Sequence, residues 1–575
     1  MTPTPLSVNS AAGVIARFLK ARGVDRIFGL CGGHIMPIWM RADAEGIRII
    51  DVRDERAAVY MAHAHSELTG TLGVALVTAG PGLTNAHVAR ASVLVLSGTA
   101  PRAQENRGAL QDIVHTDLVR SITRYARTVR EPTLVLQELD EAVARAFGQG
   151  GDPGPVYLDF PTDTLRAEVP RVLQMDEHLR PKARPVLLPS ENDVAAAADL
   201  LWSANRPLVI SGRGARGAGT ELSAFLDSLG AAYLDTGESK GLVPDDHPSV
   251  VAAMRGTVMG EADVVITVGR RLDFQLAYGS PAVFGDAQFL RIGDAPAELR
   301  DNRRGAVELF AQPAAALAAI TYAARGRKSQ VDRDWVNGLR MRHEERAKKL
   351  RQSMRTAANG SDGRIHPNRL LGALQDQLAH NAIVIADGGD FLSFTRVGLP
   401  SSTYLDPGSL GCIGIGTPFG VAASLAFPER QVVVATGDGA FGFNAMGIDT
   451  AVRHRAPVLI VVANNGAWQI EVHDQNDTHG KVVGTRLQFA DHAAMARAFG
   501  MYAERVEKAE DLAGAIERAL AHRPALLDVV VTTDARSSDA KSGLAWVPDL
   551  QPLAAWDDAE RNWRSAKPKD DPQHR

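Results

Sequence analysis

Cysteine is almost missing. Cys31 and Cys412 are the only two in 575 residues, far apart and outside any CxxC spacing, which excludes a disulfide framework and a cysteine-built zinc site and fits a reducing compartment. Long apolar runs are missing as well: no stretch of about eighteen apolar residues occurs, so no spanning helix is expected. The opening MTPTPLSVNSAAGVIARFLKARG has no basic segment followed by an apolar one, and Ser10 there reads as a helix N-cap. The final PQHR is not a peroxisomal address, and a cytoplasmic location is the expectation. An excess of one charge is absent too, with 63 Lys plus Arg against 67 Asp plus Glu and a formal net charge of −4. Nothing in that balance is built for nucleic acid or an anionic membrane surface.

What is present is a repeated alternation. Short β-branched runs (47–52, 72–80, 93–98, 156–160) are separated by alanine-rich helical stretches, the pattern of parallel sheets with crossover helices. A proline-rich stretch from about Pro170 to Pro189 reads as a linker, and the alternation resumes at 206–214, 262–269 and 287–294. A charged helical segment between about Arg325 and Pro367 then leads into IVIADGGDF, VVVATGDGAFGF and VLIVVANNG. The expected fold is α/β: three doubly wound parallel-sheet domains over 1–170, 190–325 and 360–535, followed by a C-terminal lid over 536–575.

The third block carries the strongest chemical signal. QVVVATG ends in Gly437-Asp438-Gly439, and VLIVVAN ends in Asn464-Asn465 with room for a helix between. In a parallel sheet both strand ends open on one edge, so Asp438 and the Asn465 amide oxygen can meet at one hard cation while the glycines admit phosphate to main-chain N–H groups. Either motif alone is an ordinary turn; the pair at this spacing is not.

This pair resembles the signature of thiamine-diphosphate enzymes of the acetolactate synthase and oxalyl-CoA decarboxylase superfamily, and the likeness runs over nearly the whole chain. It implies pyrimidine-binding, middle and diphosphate-binding domains in that order. It further implies that Asp438, Asn465 and the Ala467 main-chain oxygen hold Mg²⁺, with Gly389, Asp390, Phe391, Gly437, Gly439 and Ala440 at the diphosphate. Gly411 and Ile413 would lie beneath the cofactor, Ile413 as the wedge that bends it. Glu55, in VRDERAAVYMA, would face the pyrimidine N1′; read without the resemblance it is an acid stabilised at a helix N-terminus. VTAGPG (77–82) would turn beneath the same site. One departure stands out: only about ten residues separate Gly82 from Val93, where the family carries a helix longer by roughly two turns.

Four stretches indicate the branch. His34, in GGHIMP, corresponds to a loop that faces the reacting centre in the family, and Gln111, in GALQD, is similar to an amide near the substrate carbonyl. Ala467-Trp468-Gln469-Ile470-Glu471 with Asp474-Gln475 resembles the pattern of bacterial 2-hydroxyacyl-CoA lyases of the 2-hydroxyisobutyryl type, which puts Ile470 in the pocket and makes Glu471 the group for the hydroxyl proton. The segment 537–562 resembles their lid. The middle block offers Gly212-Arg213-Gly214-Ala215-Arg216-Gly217 after a strand, with Asp235 some twenty residues on, a lone dinucleotide-like match. By the resemblance this region holds the ADP portion of FAD or coenzyme A, with Arg213, Gly214, Arg270 and Arg271 as phosphate contacts.

The resulting expectation is a lyase dependent on thiamine diphosphate and Mg²⁺ that cleaves a 2-hydroxyacyl-CoA reversibly to a ketone or aldehyde plus formyl-CoA. The chain is expected to work as a homodimer or homotetramer. The alternatives are an acetolactate-synthase-like or other decarboxylating enzyme with FAD in the middle domain, and a cofactor-binding protein without catalysis.

Overall fold

The computed structural model describes residues 6–77, 82–174, 176–399 and 401–537, together with 558, 561, 562 and 565. Most of the expected lid and most of the 77–82 turn lie outside the described residues.

Three parallel sheets form. The first comprises β1 (Arg26–Gly29), β2 (Arg48–Asp51), β3 (Gly73–Leu76), β4 (Val93–Thr99), β5 (Tyr125–Thr128) and β6 (Val156–Pro161), in the order β2-β1-β3-β4-β6-β5. The second has β7 (Pro207–Ser211), β8 (Ala232–Leu234), β9 (Val264–Val268), β10 (Gln288–Gly293) and β11 (Val307–Phe310), ordered β11-β10-β9-β7-β8. The third comprises β12 (Ile383–Asp387), β13 (Thr403–Leu405), β14 (Val432–Gly437), β15 (Val458–Asn464), β16 (Tyr502–Val506) and β17 (Ala525–Val530), ordered β13-β12-β14-β15-β17-β16. The first and third sheets thus repeat one topology. Central strands such as VLIVVAN are buried at every position, because helices cover both faces of a parallel sheet. Among the described residues no helix is long and apolar enough to cross a membrane.

The first and third domains share a continuous apolar core. The helix Glu55–Thr69 starts where the Asp54 side chain caps the Arg56 N–H and ends at left-handed Gly70. Its small residues Ala57, Ala58 and Ala62 are buried, and its Tyr60 and His63 meet Phe419 of the helix Gly416–Ala426 edge-on, at 6.4 and 5.0 Å between ring centroids. The middle domain has its own core and is fastened to the first by ion pairs. Glu67 accepts from Arg213 at 2.8 Å and from Arg216, and contacts His63 at 3.0 Å. Burial opposes its charge, but Arg216, Arg213 and His63 together hold its carboxyl well below the usual range. A second buried pair joins Arg90 to Glu298 at 2.9 Å.

The helix after Gly82 is as short as the spacing implied, Leu83–Ala89, and it stops at Arg90 with a left-handed φ of 58°.

His65, on the Glu55 helix and 6.0 Å from the Phe28 ring, is pushed down to about 4, chiefly by burial and then by Arg26. An unfolded histidine titrates near ~6.5, so the unfolded chain takes up this proton first. Stability contributed by neutral His65 is therefore complete above that pH and is lost as pH falls toward the folded value, about 2 kcal/mol by around pH 5. Denaturant titrations at neutral pH and near pH 5 should show that loss in the wild type and a smaller one in His65→Gln. Equal losses in both proteins would remove His65 from the account.

Candidate functional site

β14 and β15 pair in register, Gly437 beside Ala463, so the turns that follow them are neighbours at one sheet edge. Asp438 opens the helix Asp438–Phe443 and is only 5% exposed. Burial pushes its carboxyl up to about 6, against the pull of the Asn465 and Gly439 main-chain N–H groups. The two asparagines after β15 have different jobs. Asn464 donates to the Ala490 carbonyl and to Asp528, each at 2.9 Å, and so holds the turn. The Asn465 amide oxygen is buried and accepts no hydrogen bond among the described residues. Gly466 continues the turn at a φ of +62°, and Ala467 is buried behind it.

The surroundings fit a phosphate ester with its counter-ion. Gly437 has open space where a side chain would project. At Gly439 a Cβ would stand 2.6 Å from the Trp468 ring, and at Gly389 3.4 Å from Ile470. Trp468 and Ile470 therefore pack on the glycine backbone of the turns after β14 and β12. Asp390 begins the helix Asp390–Gly398; burial pushes its carboxyl up to about 7, with Ser537 as its partner. Phe391 is buried behind it and Ala440 lies in the turn after Asp438. No group of three or more His, Cys, Asp or Glu side chains forms a metal cage among the described residues. A cation here would take one carboxylate plus amide and main-chain oxygens, a donor set for a hard ion.

Gly411 is left-handed at a φ of 70°, and Ile413 is half-buried. The segment is held from below by Asp387 of β12, which accepts from the Gly414 and Gly416 N–H groups at 3.0 and 2.8 Å. It is held from the first domain by Tyr60, whose hydroxyl lies 3.0 Å from the Cys412 sulfur. Glu55 stands five residues before Tyr60, half-buried at the first helical position. Its strand end is pinned to the third domain through Arg53 and Asp449 at 2.7 Å and through His454 and Asp51 at 2.8 Å.

His34 and the Gln111 loop are brought together: Nε2 of His34 lies 3.2 Å from the Leu110 carbonyl and Nδ1 3.1 Å from the Thr162 hydroxyl. Gln111 is exposed, with a φ of +59°. Glu471, on the exposed side of the helix Gln469–His479, is raised above the ordinary glutamate range by partial desolvation and by Asp474.

Two of the expected middle-domain phosphate contacts are paired with carboxylates inside the chain. Arg213 is committed to Glu67. Arg270 is 2% exposed and donates twice to Asp273 and once to Gln275. A buried guanidinium needs a carboxylate partner, and both found one inside the chain. Gly214 lies against the Glu298 carboxylate. Arg271 alone of the expected phosphate contacts is an exposed cation.

Comparison with known proteins agrees with this geometry. Residues 9–119, 194–320 and 391–529 match, in that order, the N-terminal TPP binding domain, the central domain and the C-terminal TPP binding domain of thiamine pyrophosphate enzymes. The acetolactate synthase large subunit IlvG of Mycobacterium tuberculosis is 34% identical over 547 residues, covering 92% of this chain and 96% of that protein. The chain belongs to the thiamine pyrophosphate enzymes. It is also similar to human 2-hydroxyacyl-CoA lyase 2, 30% identical over 544 residues (86% of this chain, 84% of that one). The Caenorhabditis elegans 2-hydroxyacyl-CoA lyase 2 is 29% identical over 547 residues, with the same shares.

Within this thiamine pyrophosphate enzyme, three supporting residues escaped the sequence reading: Asp387, Asp528 and Tyr60. Asp387, at the end of β12 in ADGGD, carried the clearest signal, an acid at the end of an apolar strand. The two asparagines should separate in thermal and denaturant melts. Asn464→Ala strips one buried and one part-buried hydrogen bond and leaves Asp528 short of a donor, a loss of about 2–4 kcal/mol. Asn465→Ala removes an amide oxygen that holds nothing in the fold and should stay within about 1 kcal/mol of wild type. Equal losses would mean that Asn465 is structural.

Proposed function

We propose that the chain is a carbon–carbon lyase dependent on thiamine diphosphate and Mg²⁺ that cleaves a 2-hydroxyacyl-CoA reversibly to a ketone or aldehyde plus formyl-CoA. The supporting observation is the turn after Asn465, which leads into Trp468, Ile470 and Glu471. Ile470 packs over Gly389, and Glu471 keeps a solvent-open carboxyl whose affinity for protons is raised by partial burial and by Asp474, which suits proton exchange with a substrate oxygen.

Asp438, the Asn465 amide oxygen and the Ala467 carbonyl would hold Mg²⁺, while N–H groups of Gly389, Asp390, Phe391, Gly439 and Ala440 would bind diphosphate oxygens. When bound, thiamine diphosphate supplies a carbon nucleophile that also stores an electron pair. Glu55 holds the proton at the aminopyrimidine N1′. Ile413 would support the cofactor, and the Gly411 carbonyl would accept a hydrogen bond from its amino group. Glu471 removes the proton from the substrate 2-hydroxyl oxygen in the cleavage direction and returns it in the reverse. His34 and Gln111 orient the thioester carbonyl oxygen. The coenzyme A handle is anionic, and the molecule as a whole offers no positive field, so capture falls to local cations such as Arg271. Exposed apolar residues of the loop and short helix after Gln111, among them Ile113, Val114 and Leu118, fit coverage by a second copy in a homodimer or homotetramer.

The 34% identity to an acetolactate synthase subunit favours a second reading, a decarboxylase or ligase of 2-oxoacids with flavin in the middle domain. One panel separates the two. Protein loaded with thiamine diphosphate and Mg²⁺ should release carbonyl product and formyl-CoA from short, branched 2-hydroxyacyl-CoA thioesters. In Glu55→Gln that rate should fall by about 10²–10⁴-fold while cofactor affinity stays within a few fold. Consumption of 2-oxoacids by a yellow protein, with no thioester cleavage, would establish the second reading instead.

A further inference from the structure

Behind the Gln111 loop lies a pair of buried groups that the proposed chemistry does not use. His115 opens the short helix His115–Val119 and is 3% exposed; Asp159, in the middle of β6, is 1% exposed. They face one another with Nδ1 and Oδ2 3.5 Å apart, yet among the described residues neither ring nitrogen and neither carboxylate oxygen makes a hydrogen bond. Four unpartnered polar atoms at one buried point are costly, since each forfeits its hydration without replacement.

Both side chains line one cavity of about 80 Å³. That is room for two or three waters at about 30 Å³ each. Its walls include Thr99, Thr128 and the Gln111 loop. Thr128 is the register partner of Asp159 on β5, and Ser97 its partner on β4. The Thr99 carbonyl accepts from Thr162, which in turn contacts His34. The cavity therefore backs onto both residues assigned to the substrate carbonyl. Gln111 itself sits at a left-handed φ of +59°, a conformation a non-glycine residue keeps only when its surroundings impose it.

We propose that His115 and Asp159 form a water-binding site whose bridging waters hold the Gln111 loop in this conformation, which makes the pair positioning residues for Gln111. The kinetic part of this inference rests on the lyase reading; the structural part does not. A crystal structure of the wild-type holoenzyme should show ordered water within hydrogen-bond distance of both side chains. A dry cavity, or a direct His115–Asp159 hydrogen bond with no water, overturns the proposal. Trypsin cleavage after exposed Arg107, in the same loop, should accelerate several-fold in His115→Gln and in Asp159→Asn; unchanged cleavage also overturns it.

With turnover of a 2-hydroxyacyl-CoA in hand, the double variant His115→Leu, Asp159→Leu removes both polar groups together. It should keep its melting temperature and thiamine diphosphate affinity but lose at least tenfold in kcat. Adding Gln111→Ala should then cost little more, because the loop is already misplaced. If Gln111→Ala costs its full factor in that background, the pair only fills space. A wild-type enzyme that cleaves no 2-hydroxyacyl-CoA would sink the lyase reading alone, leaving the water and proteolysis results to decide the site.

Discussion

The candidate site depends on the parallel pairing of β14 with β15. Because Gly437 stands beside Ala463, a buried carboxylate and a buried amide oxygen emerge side by side where the sheet ends. Folding alone gives no return for this arrangement. Asp438 resists ionisation in its buried setting, and the Asn465 oxygen forgoes a hydrogen bond. Such a deficit at a sheet edge, where the Asn464 amide oxygen also lacks a partner among the described residues, is how a protein keeps oxygen donors ready for a cation. The residues around it are arranged to keep the deficit in place: Asn464 and Asp528 fix the turn, and Asp387 fixes the opposing segment.

The same constraint explains the use of two sheets of one topology. The first and third sheets share an order and one apolar core, so the Glu55 helix is packed directly on the helix that follows Ile413. Tyr60 reaching Cys412 is the visible link. The middle domain contributes through charge: Glu67 draws Arg213 and Arg216 out of the loop that sequence alone assigns to a nucleotide. That loop works as a clasp between domains, and the open cation at the same sheet edge is Arg271.

Much of the fold was legible because buried parallel strands are written as continuous apolar runs, as in VLIVVAN and QVVVATG. Short edge strands such as β13 and β16, with mixed burial, leave no such trace. At the site, the GDG and NN turns were legible because spacing along the chain and position on the sheet edge coincide. The division of labour between Asn464 and Asn465 was not, since it depends on Asp528 and Ala490, brought in by other elements. The partner of the GxGxxG arginines was not legible for the same reason: Glu67 lies 146 residues from Arg213, and no local pattern announces it. His115 and Asp159 carried no motif at all.

The most direct test of the central claim is a calorimetric titration of thiamine diphosphate, with and without Mg²⁺, into the wild type and Asn465→Ala. The account predicts saturable, metal-dependent binding in the wild type and a loss of about 10-fold or more of the metal-dependent affinity in a variant that is as stable as wild type. Wild-type binding that ignores Mg²⁺, or a variant that binds metal and cofactor as tightly as wild type, would contradict it.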